Sequence, residues 1–242
     1  MNKLYVVGMG PGAYEEMTVR AVRALEQCQV IVGYTLYVDL VRRHFPGKEF
    51  LTTPMRQETE RCRLALETAR SGKTTAMICS GDAGVYGMAG VLFELRGNDA
   101  QVDIEAVPGV TAAVSGAACL GAPLMHDFAV ISLSDLLTPP EVIERRLRAA
   151  AEADFVICLY NPSSRKRADY LKRACDILLA FREESNLCGL VRNIGREGTE
   201  SLICTLQELR DIQTDMFTTV YIGNSGTREV QGKLVTPRGY IL

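Results

Sequence analysis

Short β-branched and apolar runs alternate along this chain with longer stretches of helical periodicity, and no other feature constrains the fold as much. Strand-like runs are predicted at 4–7, 30–32, 74–79, 102–107, 128–132, 155–160, 187–192, 202–205 and 219–222. Helical patterns fall between them at 18–27, 58–70, 85–95, 110–120, 140–151, 168–181 and 206–212. Terminal chemistry marks several of these. Ser71-Gly72 closes the helix that opens at Glu58, and Thr205 with Glu208 spells a capping box. Such alternation predicts an α/β fold of parallel or mixed sheets flanked by helices. The segment Gly121-Ala122-Pro123-Leu124-Met125-His126-Asp127 interrupts the pattern, because a small-residue helix stops at Pro123 before a new strand begins. Two α/β lobes are therefore expected, 1–122 and 123–242, with a ligand site in the cleft where they meet.

Composition narrows the partners. A formal charge of −2 gives no global attraction to nucleic acid. The stretch 106–125 carries no charged residue, but its prolines, glycines and hydroxyls make it a buried small-residue segment and not a membrane span. The strand-like run at 4–7 follows Met-Asn-Lys directly and is too short for a signal-peptide core. Eight cysteines, none in CxxC spacing, and only two histidines, His44 and His126, give no metal-ligand pattern, so no protein-bound metal is expected. Cys79, Cys119, Cys158 and Cys204 lie in apolar runs, where a reduced thiol packs as a small hydrophobe. A cytoplasmic protein without membrane or nucleic-acid partners is the expectation.

Three glycine-rich turns carry the chemistry. The first, Gly8-Met9-Gly10-Pro11-Gly12-Ala13, satisfies the letters of a dinucleotide fingerprint and keeps an NAD(P)-dependent oxidoreductase open as an alternative. Against it, Val30-Ile31-Val32-Gly33 ends without the acidic residue that would hold a ribose, and Pro11 removes a backbone N–H. The second, Ser80-Gly81-Asp82-Ala83-Gly84-Val85-Tyr86-Gly87, follows an apolar strand and lacks the lysine of a nucleotide-binding P-loop. Asp82 at its start is readable as a cofactor ligand, a base or a helix cap. The third, Pro108-Gly109-Val110-Thr111-Ala112-Ala113, opens a helix rich in Gly and Ala, suited to a flat group such as adenine or to close helix–sheet packing. Turns of this kind without a phosphate motif suggest an uncharged or cationic adenosyl cofactor.

In this order and at these separations, the three turns resemble the tetrapyrrole methylase superfamily of S-adenosylmethionine-dependent enzymes. Further stretches, among them Gly33-Tyr34-Thr35-Leu36-Tyr37, Ile131-Ser132-Leu133-Ser134-Asp135-Leu136-Leu137-Thr138-Pro139, Tyr160-Asn161-Pro162-Ser163-Ser164 and Thr236-Pro237-Arg238-Gly239-Tyr240, resemble one branch of it. That branch methylates C17 of precorrin-3B or cobalt-precorrin-3 and contracts the macrocycle during cobalamin biosynthesis; methylation at another tetrapyrrole position is the nearest alternative. The resemblance runs over essentially the whole chain.

It implies S-adenosyl-L-methionine as co-substrate, a tetrapyrrole as substrate and assembly as a homodimer. By the same resemblance Pro11, Ser80, Gly81, Asp82, Val85, Thr111 and Ala112 are expected to touch the cofactor, and Tyr160, Asn161, Asn193 and Ile194 its adenosine end. Ring contraction calls for a general base, for which Asp82, His126, Asp127 and Asp135 are candidates. A substrate bearing acetate and propionate groups calls for arginines, of which Arg56 and Arg238 rank first, ahead of Arg192 and Arg196. The run Arg165-Lys166-Arg167 reads as a solvated face.

Overall fold

The computed structural model describes residues 2–164 and 168–241, so the basic run at 165–167 lies outside the described residues. The chain divides into two compact units, Met1–Thr111 and Ala112–Leu242.

In the first unit strands and helices alternate without exception: β1 (Asn2–Gly8), α1 (Val19–Gln27), β2 (Val30–Tyr34), α2 (Thr35–Arg42), β3 (Glu49–Thr53), α3 (Glu58–Arg70), β4 (Thr75–Cys79), α4 (Ala89–Arg96) and β5 (Val102–Val107). The sheet order is β3-β2-β4-β1-β5, and every pairing is parallel. Central β4 is buried along its whole length, as a parallel strand covered on both faces must be. Val7, Ile31, Ala76 and Ile78 pack under α1 and α2 on one face. Leu4, Val30, Met77 and Cys79 pack under α3 and α4 on the other. Chain direction explains this division. The connections through α1 and α2 step one way across the sheet, those through α3 and α4 step back, and crossovers of one hand then fall on opposite faces.

The second unit contains α5 (Ala112–Leu120), β6 (Gly121–Ala122), β7 (Phe128–Ser132), α6 (Pro140–Glu152), β8 (Val156–Tyr160), α7 (Tyr170–Leu178), β9 (Leu187–Arg192), β10 (Glu200–Thr205), α8 (Leu206–Leu209), β11 (Thr218–Ile222), β12 (Arg228–Val230) and β13 (Lys233–Val235). Its main sheet, β10-β9-β11-β8-β7, is mixed: only β7 and β8 run parallel. One face packs on α6, α7 and α8 and the other on α5. A hairpin of β12 and β13, turned by Gln231 and Gly232 at φ 51° and 74°, adds β6 as a third strand.

The division falls earlier than the boundary expected at 122–123, for a packing reason. Ala113, Ala117 and Leu120 of α5 are buried with Cys158, Val191 and Tyr221 of the second sheet, so the helix belongs there and not with the turn that opens it. Four helices are also shorter than expected, α8 among them, which stops at Leu209. The segment 83–88 is spent in bends before α4, with the Ala89 N–H donating to Ala83 O at 3.0 Å. Likewise α5 opens at Ala112, after the Pro108-Gly109 turn, and α7 covers only Tyr170–Leu178. The Thr205–Glu208 capping box and the Ser71-Gly72 helix end form as expected.

Candidate functional site

Strands β4, β1 and β5 are neighbours, so the turns that follow them stand side by side at the carboxyl end of the first sheet. Between β1 and β4 the chain leaves toward opposite faces, the position where open α/β sheets bind ligands. Here the turns are tied to one another. Gly10 N–H donates to Gly81 O at 3.0 Å, and Gly81 N–H returns the bond to Gly10 O at 2.7 Å. Both glycines have left-handed φ, 73° and 67°, which makes the reciprocal pair possible. A Cβ on Gly8 would lie 2.7 Å from Gly109 N and Gly81 O, and one on Gly109 only 2.2 Å from Gly81 O. Glycine at these positions lets three backbones touch.

Asp82 completes the cluster. Its Oδ1 accepts from Gly84 N at 2.8 Å and Val85 N at 3.1 Å, while its Oδ2 accepts from Gly109 N at 2.9 Å. It does not cap α4, which begins at Ala89 after Met88 and has no side-chain cap bond. The carboxylate instead fastens the second turn internally and the third turn to it. Val85 and Tyr86 form an exposed crest on this loop, and Tyr86 adopts φ 53°. Pro11 is buried in the first turn, Ser80 and Thr111 are half-buried, and the segments 8–13, 80–88 and 107–113 hold no Lys, Arg or His.

The first turn also departs from dinucleotide geometry. No α-helix opens at its glycines: a single 3-10 turn, Tyr14–Glu16, follows them, and α1 begins only at Val19, capped by Thr18, whose Oγ1 accepts from Ala21 N at 3.1 Å and donates to Pro108 O. A pyrophosphate-binding turn needs the helix N-terminus at the glycines themselves.

In the second unit, Ala112 and Ala113 start α5 and are anchored by tyrosines. Tyr160 Oη accepts the Ala113 N–H at 2.7 Å, and Tyr221 Oη reaches Ala112 O at 2.7 Å and Ala113 O at 3.0 Å. Burial pushes the Tyr221 hydroxyl far above its ordinary range. A Cβ on Gly116 would stand 2.3 Å from that oxygen. Asn161 and Asn193, each at the end of a strand, both take left-handed φ, 54° and 53°. Asparagine tolerates that region better than most side chains. Asn161 Nδ2 donates to Ser132 Oγ at 2.9 Å, Asn193 Nδ2 donates to Gly198 O at 3.4 Å, and Ile194 is buried against α5.

The other candidates are placed as follows. His126 and Asp127 are exposed, with His126 Nδ1 accepting the Asp127 N–H at 2.9 Å. Arg238 Nη1 donates to Met125 O at 3.4 Å, which brings this arginine to the His126 segment. Asp135 accepts a hydrogen bond from the hydroxyl of Tyr170, the first residue of α7. Arg56 is exposed with φ 68° in the loop after β3. Arg192 is engaged by Asp215 at 2.8 Å, and Arg196 lies over the Phe217 ring. Tyr221 and the Gly8–Gly109 contact went unmarked in the sequence reading: a Tyr in a strand and a Gly in a turn carry no mark of their partners. The cysteines are packing residues. Burial raises the thiols of Cys28, Cys62, Cys158 and Cys175 to about 12 and those of Cys79 and Cys204 to about 11. Among the described residues no group of three His, Cys, Asp or Glu side chains is arranged to hold a metal ion, and no helix is long and apolar enough to cross a membrane.

Residues 3–210 match the family model described as Tetrapyrrole (Corrin/Porphyrin) Methylases. A Salmonella typhimurium protein named probable cobalt-factor III C(17)-methyltransferase is 46% identical over 99% of this chain and 100% of its own length. A Sinorhizobium protein named precorrin-3B C(17)-methyltransferase is 41% identical over 98% of this chain and 96% of its own. Against longer relatives from Archaeoglobus fulgidus and Priestia megaterium, the chain spans 53% and 45% of their length. The crystal structure of the methyltransferase CobJ superposes with a TM-score of 0.90 at 37% identity, covering 98% of this chain and 100% of that one. With its strand–helix order, its tied glycine turns and these matches, the chain belongs to the tetrapyrrole (corrin/porphyrin) methylase family.

Proposed function

We propose that this protein transfers a methyl group from S-adenosyl-L-methionine to C17 of a corrin precursor, cobalt-factor III or precorrin-3B, with contraction of the ring, in cobalamin biosynthesis. The observation that carries the cofactor assignment is the charge of the three tied turns: they hold one carboxylate, Asp82, and no cation. That electrostatic setting favours a sulfonium and disfavours a phosphate. The turns also expose Gly84, Val85 and Tyr86 beside backbone held by the Asp82 carboxylate. The C17 position is supported by the names of the full-length relatives.

S-adenosylmethionine supplies an activated methyl, so the protein needs no covalent nucleophile; positioning and exclusion of water provide much of the rate. We assign Pro11, Ser80, Gly81, Asp82, Val85 and Thr111 of the first unit to the cofactor. In the second unit we assign it Ala112, Tyr160, Asn161, Asn193 and Ile194. Asp82 acts there as a fixed negative charge and a staple. Three N–H groups, of Gly84, Val85 and Gly109, already occupy its oxygens. For the hydroxyl deprotonation that ring contraction requires, we favour exposed His126: its Nδ1 accepts the Asp127 N–H, so the neutral ring carries its proton on Nε2 and Nδ1 is the lone pair that can receive one. Asp135, bonded by Tyr170, is the second candidate. Arg56 and Arg238 are assigned to substrate carboxylates. Homodimeric assembly and a cytoplasmic location complete the proposal; sedimentation and cell fractionation test them.

Calorimetric titration with S-adenosylhomocysteine tests the cofactor assignment. Micromolar binding, with NAD weaker, is expected. Absence of binding at millimolar concentration overturns it.

A further inference from the structure

Arg61 is a buried cation whose chemistry the assignments above leave unused. It stands one turn into α3, between exposed Glu60 and Arg63, yet is 6% exposed. A guanidinium there is out of water and at the positive end of a helix dipole, both unfavourable. Its Nε donates to Thr53 Oγ1 at 2.8 Å and its Nη2 to Pro54 O at 3.0 Å. The guanidinium also lies 5.7 Å from the centre of the Tyr34 ring. Among the described residues no carboxylate comes within 4.0 Å of it, and Nη1 has no acceptor. Tyr34, Thr53 and Cys79 end β2, β3 and β4, so Arg61 lies at the same carboxyl end of the sheet as the Asp82 turn. Its charge acts on the Cys79 thiol, the residue directly before Ser80.

We propose that Arg61 is a substrate-specificity residue: its Nη1 edge, left open by Thr53 and Pro54, receives a carboxylate of the tetrapyrrole. A buried guanidinium short of a counter-anion, at the ligand end of a sheet, calls for an anion brought by the ligand, and a planar fork suits a carboxylate. The two occupied donors fix the plane of the group and hold the loop that carries Arg56. The inference rests on a polycarboxylate tetrapyrrole being the substrate, not on the C17 position.

The test compares wild type, Arg61→Met and Arg61→Lys by fluorescence titration with uroporphyrin III, with S-adenosylhomocysteine binding as the fold control. Arg61→Met is expected to weaken uroporphyrin binding about tenfold or more while leaving S-adenosylhomocysteine affinity unchanged. Arg61→Lys, which keeps the charge without the fork and serves if the Met variant fails to fold, is expected to weaken it less. Equal uroporphyrin affinity in wild type and a folded variant overturns the proposal. So does a parallel loss of both ligands, the mark of a loop staple alone, or no uroporphyrin binding by wild type. Failure of the C17 assignment reads differently: wild type binds uroporphyrin III but does not methylate cobalt-factor III.

Discussion

Replacing Gly109 by alanine perturbs the tied turns at their tightest point. The new methyl carbon would stand 2.2 Å from Gly81 O and 2.5 Å from Gly8 O, both backbone atoms in turns that have little freedom to yield. The turns must separate by the better part of an ångström, which strains the Gly10–Gly81 bond pair and the Gly109–Asp82 bond together. Overpacking of this kind costs about 1–3 kcal/mol and a lost hydrogen bond to a charged group about 1.5–3 kcal/mol. We therefore expect a loss of about 3 kcal/mol or more and at least a tenfold weaker hold on S-adenosylhomocysteine. Gly90 is the internal control: it lies in α4 with nothing within 4 Å of its Cβ position, so Gly90→Ala should be neutral or stabilising by up to about 1 kcal/mol. The chain has no tryptophan, so urea unfolding is followed by circular dichroism. A Gly109→Ala protein within about 0.5 kcal/mol of wild type would refute the account of why these turns are glycine.

Asp82→Ala removes the acceptor for three N–H groups and should weaken S-adenosylhomocysteine binding and turnover together; intact binding with intact turnover would leave Asp82 a staple of no functional consequence. Tyr160→Phe strands the Ala113 N–H and should cost about 1–2 kcal/mol, more than Tyr221→Phe, which leaves two carbonyls with spare lone pairs; the reverse order in denaturant melts would contradict the anchoring scheme. The buried thiols predict alkaline weakness. Their folded values are raised, so the unfolded chain releases these protons first, and the stabilisation present below about pH 9 is lost as pH rises toward 12. Unfolding at pH 8 and pH 10 should differ by several kcal/mol, and in native protein a thiol reagent should react rapidly with half-buried Cys119 before any other.

The central strands were legible in the sequence because burial on both faces gives continuous apolar runs, as in Thr75–Cys79 and Val156–Tyr160. Strand β3 and helix α2 were not. Glu49–Thr53 is half exposed and Thr35–Arg42 is short, so neither carries a strong period. Pro123 looked like a boundary because it stops a helix, but boundaries follow packing, and α5 packs on the sheet that comes after it. The glycine turns were legible as turns after buried strands, whereas their mutual contacts depend on strand order, which no local pattern encodes. Arg61 was invisible for a similar reason: in Glu58-Thr59-Glu60-Arg61-Cys62-Arg63 it reads as one more solvated charge, and only the loop after β3 buries it.

Mass spectrometry of the product formed from cobalt-factor III and from precorrin-3B, with S-adenosylmethionine present, tests the central claim most directly. The account predicts a ring-contracted product one methyl group heavier, with the label of a methyl-labelled cofactor at C17, from at least one of the two. Labelled product carrying the methyl at another carbon, or unchanged substrate alongside demonstrable S-adenosylhomocysteine binding, would contradict it.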